Sequence, residues 1–211
     1  MFERVTIHAS DLGESRRFYE TVLTTLDVGP AEASDEMVRW RDLSVAQGDG
    51  KVTRRLHLGI VAPSREHVDA FWRTGVDAGY GSDGEPGPRP QYREDYYGAF
   101  LLDPDGNSVE AVHHGAVRQG GLVDHLWVRV ADLAASQAFY EAIAPDAGLT
   151  FKDGLPERTT FLGRSGSFSL VPGDPTQNLT MALPSARGAA VVDPDGNLVA
   201  LTNRPGRAAR E

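Results

Sequence analysis

Six histidines and no cysteine set the chemistry open to this 211-residue chain. Imidazole nitrogens and carboxylate oxygens are its metal donors and proton carriers, while thiol nucleophiles, thiolate zinc sites and disulfides are excluded. Imidazole titrates near neutral pH, so a His near a Glu can pass a proton or join the carboxylate around a divalent cation. Other site classes leave no trace: there is no phosphate-binding loop, no Gly-x-Ser-x-Gly elbow and no His-Glu-x-x-His. Gly48-Asp49-Gly50 reads as a turn. Period-two geometry puts Arg4, Thr6 and His8 on one face of a strand and gives His114 the same face as Glu110. His113 belongs to a rim or surface. Tyr92, Tyr96 and Tyr97 offer rings and hydroxyls to a pocket, whereas Trp40, Trp72 and Trp127 are assigned to the core.

The elements that must position these groups come from an internal repeat. Val5 to Leu12 with Phe18-Tyr19-Glu20 resembles Trp127 to Leu133 with Phe139-Tyr140-Glu141, and Asp11 falls on Asp132 at the same spacing as the Phe-Tyr-Glu triplets. Each copy reads as a strand, an Asp that caps a helix, and an amphipathic helix turning its Phe-Tyr pair inward. A third strand-and-helix start lies at His57 to Ala62, with Ser64 as its N-cap and Val68, Phe71, Trp72 and Val76 at helical spacing; its counterpart is Asn178 to Ser185. Asp103-Pro104-Asp105-Gly106-Asn107 and Asp193-Pro194-Asp195-Gly196-Asn197 each predict a tight hairpin turn between apolar runs. Four modules result, the last of them shortened by the loss of its helix. Residues 116–121 form the linker, 204–211 a solvated tail, and Gly84 to Pro90 a loop at a pocket rim.

Paired βαβββ modules with Phe-Tyr-Glu helices and an Asp-Pro-Asp-Gly-Asn-x-Val-Glu hairpin resemble the vicinal oxygen chelate superfamily, which holds glyoxalases, bleomycin-resistance proteins and extradiol dioxygenases. The resemblance covers nearly the whole chain. It implies an α+β fold in which paired modules form curved mixed sheets around a ligand cup. A complete domain of two modules, residues 1–115, would carry the pocket, and a degenerate domain, 122–203, would brace it or offer a dimer surface. The superfamily's ligand positions fall on Arg4, Ser44, His57 and Glu110 in the first half and on His125, Ser169, Asn178 and Ala200 in the second. Neither half has a full set. In the second half no metal is expected, and His125 is expected to be a hydrogen-bonded sheet histidine.

The resemblance implies catalytic roles for His57, Glu110 and Arg4, with His8, Ser44, Tyr96, Tyr97 and His114 touching substrate. Should a metal bind, its ligands would be His57, Glu110 and His8, although position 8 lies roughly 13 Å along the strand from position 4. Arg4 would otherwise face Glu110 or hold an anionic group, with His57 as proton shuttle. The cofactor is accordingly none, or one divalent zinc, nickel, iron or manganese. Two functions stand side by side: an enzyme working on a small oxygen-rich or aromatic metabolite by proton transfer or metal-assisted enolate chemistry, and a metal-free protein that sequesters an antibiotic or metabolite.

Composition sets the outer bounds. Hydrophobic residues at 40% and charged residues at 24% are those of a globular chain, whose length suits two domains of about 100 residues. A net charge of −9 without basic clusters argues against nucleic acid or an anionic membrane as partner. Apolar runs too short for a bilayer and a start without signal-peptide pattern lead to a cytoplasmic expectation. A homodimer is left open, because the family's sheets often pair between chains and four modules can also pair internally.

Overall fold

The computed structural model describes residues 1–29, 31–115, 121–155, 157–164, 166–186 and 188–203. The linker at 116–120 and the tail from 204 lie outside the described residues. Module one runs β1 (Arg4–Ala9), α1 (Leu12–Thr24), β2 (Glu32–Ala33), β3 (Met37–Trp40) and β4 (Leu43–Gln47). Module two runs β5 (Leu56–Val61), α2 (Arg65–Asp77), β6 (Ser82–Pro88), β7 (Tyr97–Leu102) and β8 (Ser108–His113). Module three has β9 (Val123–Val130), α3 (Leu133–Ala147), β10 (Thr150–Leu155), β11 (Arg158–Gly163) and β12 (Gly166–Pro172). The shortened fourth keeps β13 (Thr180–Ser185), β14 (Ala189–Val192) and β15 (Leu198–Asn203), without a helix.

The capping residues act as their chemistry dictates. Asp11 accepts from the Glu14 amide at 2.9 Å and Asp132 from the Ala135 amide at 3.0 Å, each cap contributing about 1 kcal/mol. Ser64 occupies the corresponding place before α2, but its hydroxyl turns to Glu66 and His67 instead of a helix amide. The expected rim loop at 84–90 is largely strand β6, paired with β7 at the sheet edge, where prolines cost no ladder bonds.

Strand order decides everything downstream. One sheet has seven strands, β14-β15-β13-β1-β4-β3-β2, and the other has eight, β10-β11-β12-β9-β5-β8-β7-β6. Module one therefore shares a sheet with module four through β1 and β13, and module two with module three through β5 and β9. Each half of the chain is spread over both sheets. One face of each sheet enters a single continuous core, with Val5 and Ile7 from β1 and Leu58 and Ile60 from β5 fully buried, and the helices add Phe18, Tyr19, Phe71 and Tyr140.

The two Asp-Pro-Asp-Gly-Asn turns do more than reverse the chain. Asn107 receives the Leu56 amide on Oδ1 at 3.1 Å and donates from Nδ2 to the Thr53 carbonyl at 3.0 Å, fastening the turn to the strand that begins at Leu56. Asn197 repeats this with Leu179 and Thr176, both at 3.0 Å. The inward tyrosines complete the pattern, Tyr19 donating to Asp103 at 3.3 Å and Tyr140 to Asp193 at 3.0 Å. Burial raises the Asp103 carboxyl to about 6 despite the Asn107 hydrogen bonds that favour its charged form.

Candidate metal centre

The open face of the eight-stranded sheet forms a cup of about 900 Å³. His57 rises from β5, Glu110 from its parallel neighbour β8 and His125 from its antiparallel neighbour β9. His57 Nε2 lies 3.0 Å from Glu110 Oε2 and 3.2 Å from His125 Nε2, and His125 Nε2 lies 3.3 Å from the same carboxylate oxygen. Two nitrogens and one oxygen thus aim at a common point.

Local backbone features make this convergence possible. Gly59 pairs with both Glu110 and His125, and a Cβ built on it would collide with the His125 ring. Only glycine lets that imidazole lie across β5 towards the carboxylate. The β5 and β9 ladder shifts register between Gly59 and Ile60, leaving Asp124 as the extra residue of a bulge. This places Asp124 Oδ2 at 2.9 Å from His125 Nδ1 and Oδ1 at 3.1 Å from His114 Nε2. Gly98 plays the same part for Glu110, whose Oε1 would meet a Cβ there and instead accepts from the Tyr96 hydroxyl at 2.8 Å.

Each donor is held from behind. Asp124 fixes the His125 ring, Ser108 Oγ sits 3.1 Å from His57 Nδ1, and Tyr96 holds the outer Glu110 oxygen. Such outer hydrogen bonds set ring orientation and tautomer in metal sites. With no cation present the group forms an ion pair: although burial opposes both charged forms, hydrogen bonds from His125 and His57 hold Glu110 down at about 2, and bonds to Asp124 and Glu110 lift His125 to about 9. Burial, with the Glu110 charge next, pushes the Tyr96 hydroxyl well above its ordinary value, so it stays a donor.

These three residues fit a divalent cation. Donor atoms around tetrahedral zinc at about 2.0 to 2.2 Å stand roughly 3.3 Å apart, and the spacings here meet that need with little movement. Ser169, the remaining superfamily position in this cup, lines the same cavity and shares a 3.0 Å hydrogen bond with Thr160.

Several residues picked from the sequence lie elsewhere. Arg4, His8 and Ser44 belong to the seven-stranded sheet, where Arg4 pairs with Ala182, His8 Nε2 meets Thr180 Oγ1 at 3.1 Å, and Ser44 is fully buried. Arg4 therefore cannot face Glu110, and His8 cannot share a metal with His57. Tyr97 turns away from the cup to bond Asp69 on α2 at 2.8 Å. Tyr96 and His114 do line the cavity, as do Tyr92, Gly84 and Arg89 of the expected rim. Trp127, assigned to the core, stands in the cup wall with its ring 5.7 Å from that of His57. The third member of the cluster, which the sequence did not assign to this site, is His125, although its signal was already there. It occupies a superfamily ligand position, but the expected pairing of modules one and two assigned it to a separate half.

The pattern of the glyoxalase/bleomycin resistance protein/dioxygenase superfamily matches residues 2–111. The chain belongs to this superfamily. A glyoxalase/bleomycin resistance protein from Albidiferax ferrireducens is 33% identical over 54% of this chain and 99% of its own, with a TM-score of 0.49. Glyoxalase I from Zea mays, 18% identical, covers 96% of this chain and 92% of its own at a TM-score of 0.67, so both halves share that glyoxalase fold. No curated protein matches the chain. Of the positions that the resemblance implied as ligands, His57, Glu110, His125 and Ser169 line this cup, whereas Arg4, Ser44, Asn178 and Ala200 do not. Only the first set offers metal donors. Among the described residues no other group of His, Asp or Glu converges in this way, and no helix is long and apolar enough to cross a membrane.

Proposed function

We propose that this protein is a divalent-metal enzyme that acts on a small oxygen-rich substrate by proton transfer or enolate-type chemistry. The observation that carries this reading is the convergence of His57 Nε2, His125 Nε2 and Glu110 Oε2 at 3.0 to 3.3 Å in a substrate-sized cup. Those three atoms would hold the metal, and zinc, nickel, iron and manganese all accept such a donor set. Bound there, the cation supplies Lewis acidity that stabilises negative charge on a substrate oxygen.

The protein's own groups divide the remaining work. Tyr96, Ser108 and Asp124 keep the three donors aimed inwards at no cost during turnover. His57 has both ring nitrogens engaged, which suits a ligand better than the proton shuttle expected from the sequence. His114 also borders the cup, where Asp124 anchors its Nε2, while its buried Nδ1 has no hydrogen-bond partner among the described residues. Trp127, Tyr92 and Phe100 give the cup apolar walls that exclude water from a bound ligand.

One observation favours the second reading, a metal-free protein that sequesters a small molecule. Glu110 and His125 already satisfy one another as an ion pair. Elemental analysis decides between them, on protein purified without chelator or metal-binding tag. The enzyme reading expects near-stoichiometric metal that is lost in His57→Ala and in His125→Ala. Absence of metal, together with tight binding of an unreacted ligand, would establish the sequestering protein instead.

A further inference from the structure

Resting on the metal-centre reading, we infer that the mouth of the cup receives an oxyanionic group of the substrate, a carboxylate or phosphoryl, on the Trp127 and Arg158 side. The substrate class is then a small organic acid whose remaining oxygens reach His57, Glu110 and His125. The argument begins with charge. The chain carries −9 overall, yet Arg55, Arg89, Arg93, Arg129, Lys152 and Arg158 all line this one cavity. Of the four carboxylates that line it, Glu110 and Asp124 are buried at the floor and bonded to histidines, which leaves only Asp83 and Asp174 near the mouth. A cationic mouth on an acidic protein concentrates anions there.

Partnering narrows the site. Arg55 reaches Asp174 at 4.0 Å, Arg93 bonds Asp95 at 3.0 Å, and Arg89 donates to the Glu85 carbonyl at 2.7 Å. Arg129, Lys152 and Arg158 have no side-chain ion pair or hydrogen bond among the described residues, and of these three Arg158 lies over an aromatic ring, its guanidinium 5.6 Å from the centre of the Trp127 ring. The cation–π attraction holds the guanidinium over the indole without using its N–H donors, and a free fork of that kind grips a carboxylate or phosphoryl through paired hydrogen bonds. The Trp127 ring in turn lies 5.7 Å from that of His57. One indole therefore borders both the guanidinium and the His57 imidazole, so a small bifunctional acid lying along it would have one group at each. Lys152, on the strand paired with that of Arg158, adds a second positive charge to the same wall.

The test uses zinc-loaded protein and three probes that share one chelating head: 4-carboxybenzohydroxamate, 4-phosphonobenzohydroxamate and the neutral 4-carbamoylbenzohydroxamate, compared by calorimetry. At least one anionic probe is expected to bind about tenfold tighter than the neutral one, as one charge-assisted paired hydrogen bond allows. Which of the two gains more identifies the oxyanion. Arg158→Gln should bring the preference to within about threefold, and raised salt should narrow it in the wild type, while neutral-probe affinity and zinc content stay unchanged. Three results overturn the inference: anionic probes no tighter than the neutral one, no binding by any probe, or a preference that survives Arg158→Gln. Zinc content of the same samples separates the two levels of failure. Zinc-loaded protein that shows no anion preference removes the cationic mouth alone, whereas protein that cannot hold zinc removes the centre and the inference together.

Discussion

At the residue scale the site depends on a side chain that is missing. Gly59 gives the His125 ring its place across β5, so Gly59→Ala should displace that imidazole and cost about 1 to 3 kcal/mol through overpacking. We expect metal content to fall at least about tenfold while circular dichroism stays native, the tenfold loss matching about 1.4 kcal/mol at the centre. The charged pair predicts a pH profile for protein stripped by chelator. Glu110, depressed to about 2, stabilises the fold above its ordinary 4.5 and loses that contribution as pH falls towards 2. His125, raised to about 9, stabilises below its ordinary 6.5 and loses its contribution as pH rises through 9. The pair therefore contributes fully between those ordinary values, and the difference in urea midpoint between wild type and Glu110→Gln should be widest there. A difference that does not vary with pH would refute the ion pair. His57 and Glu110 were legible from the superfamily resemblance. Gly59 was not, because a glycine in an apolar strand looks the same whether or not a ring from the next strand lies over it.

At the element scale the Asp-Pro-Asp-Gly-Asn turn is a clamp as well as a reversal. Asn107→Ala removes the partners of the Leu56 amide and the Thr53 carbonyl, both in a buried setting, and should destabilise by about 2 to 5 kcal/mol in denaturant unfolding. Since Leu56 precedes His57, metal affinity should fall too. Asn197→Ala, which frees Leu179 and Thr176 instead, should cost similar stability and leave metal binding intact. Equal loss of metal in both variants would show that the clamp acts only on global stability. The sequence predicted both hairpins and both Asp helix caps because those features are local, and the shortened fourth module because the repeat spacing falls short there. It missed β6 as a strand, since Gly and Pro at a sheet edge resemble a loop until the neighbouring strand is known.

At the scale of the whole molecule, the pairing of modules one with four and two with three is what the repeat could not reveal. Self-similarity identifies which segments are equivalent, but not which edges meet, and the choice of partner moves Arg4 away from Glu110 and brings His125 to it. A protease site inserted within 116–120 checks this arrangement. After cleavage the two fragments should elute together on gel filtration and retain metal, because β1 with β13 and β5 with β9 join them across both sheets. Fragments that separate in native buffer would contradict the pairing. The seam between β5 and β9 also bears on synthesis. His57 and Glu110 precede His125 in the chain, so a chain that stopped short of β9 would lack both the third side chain of the cluster and the strand on which β5 leans.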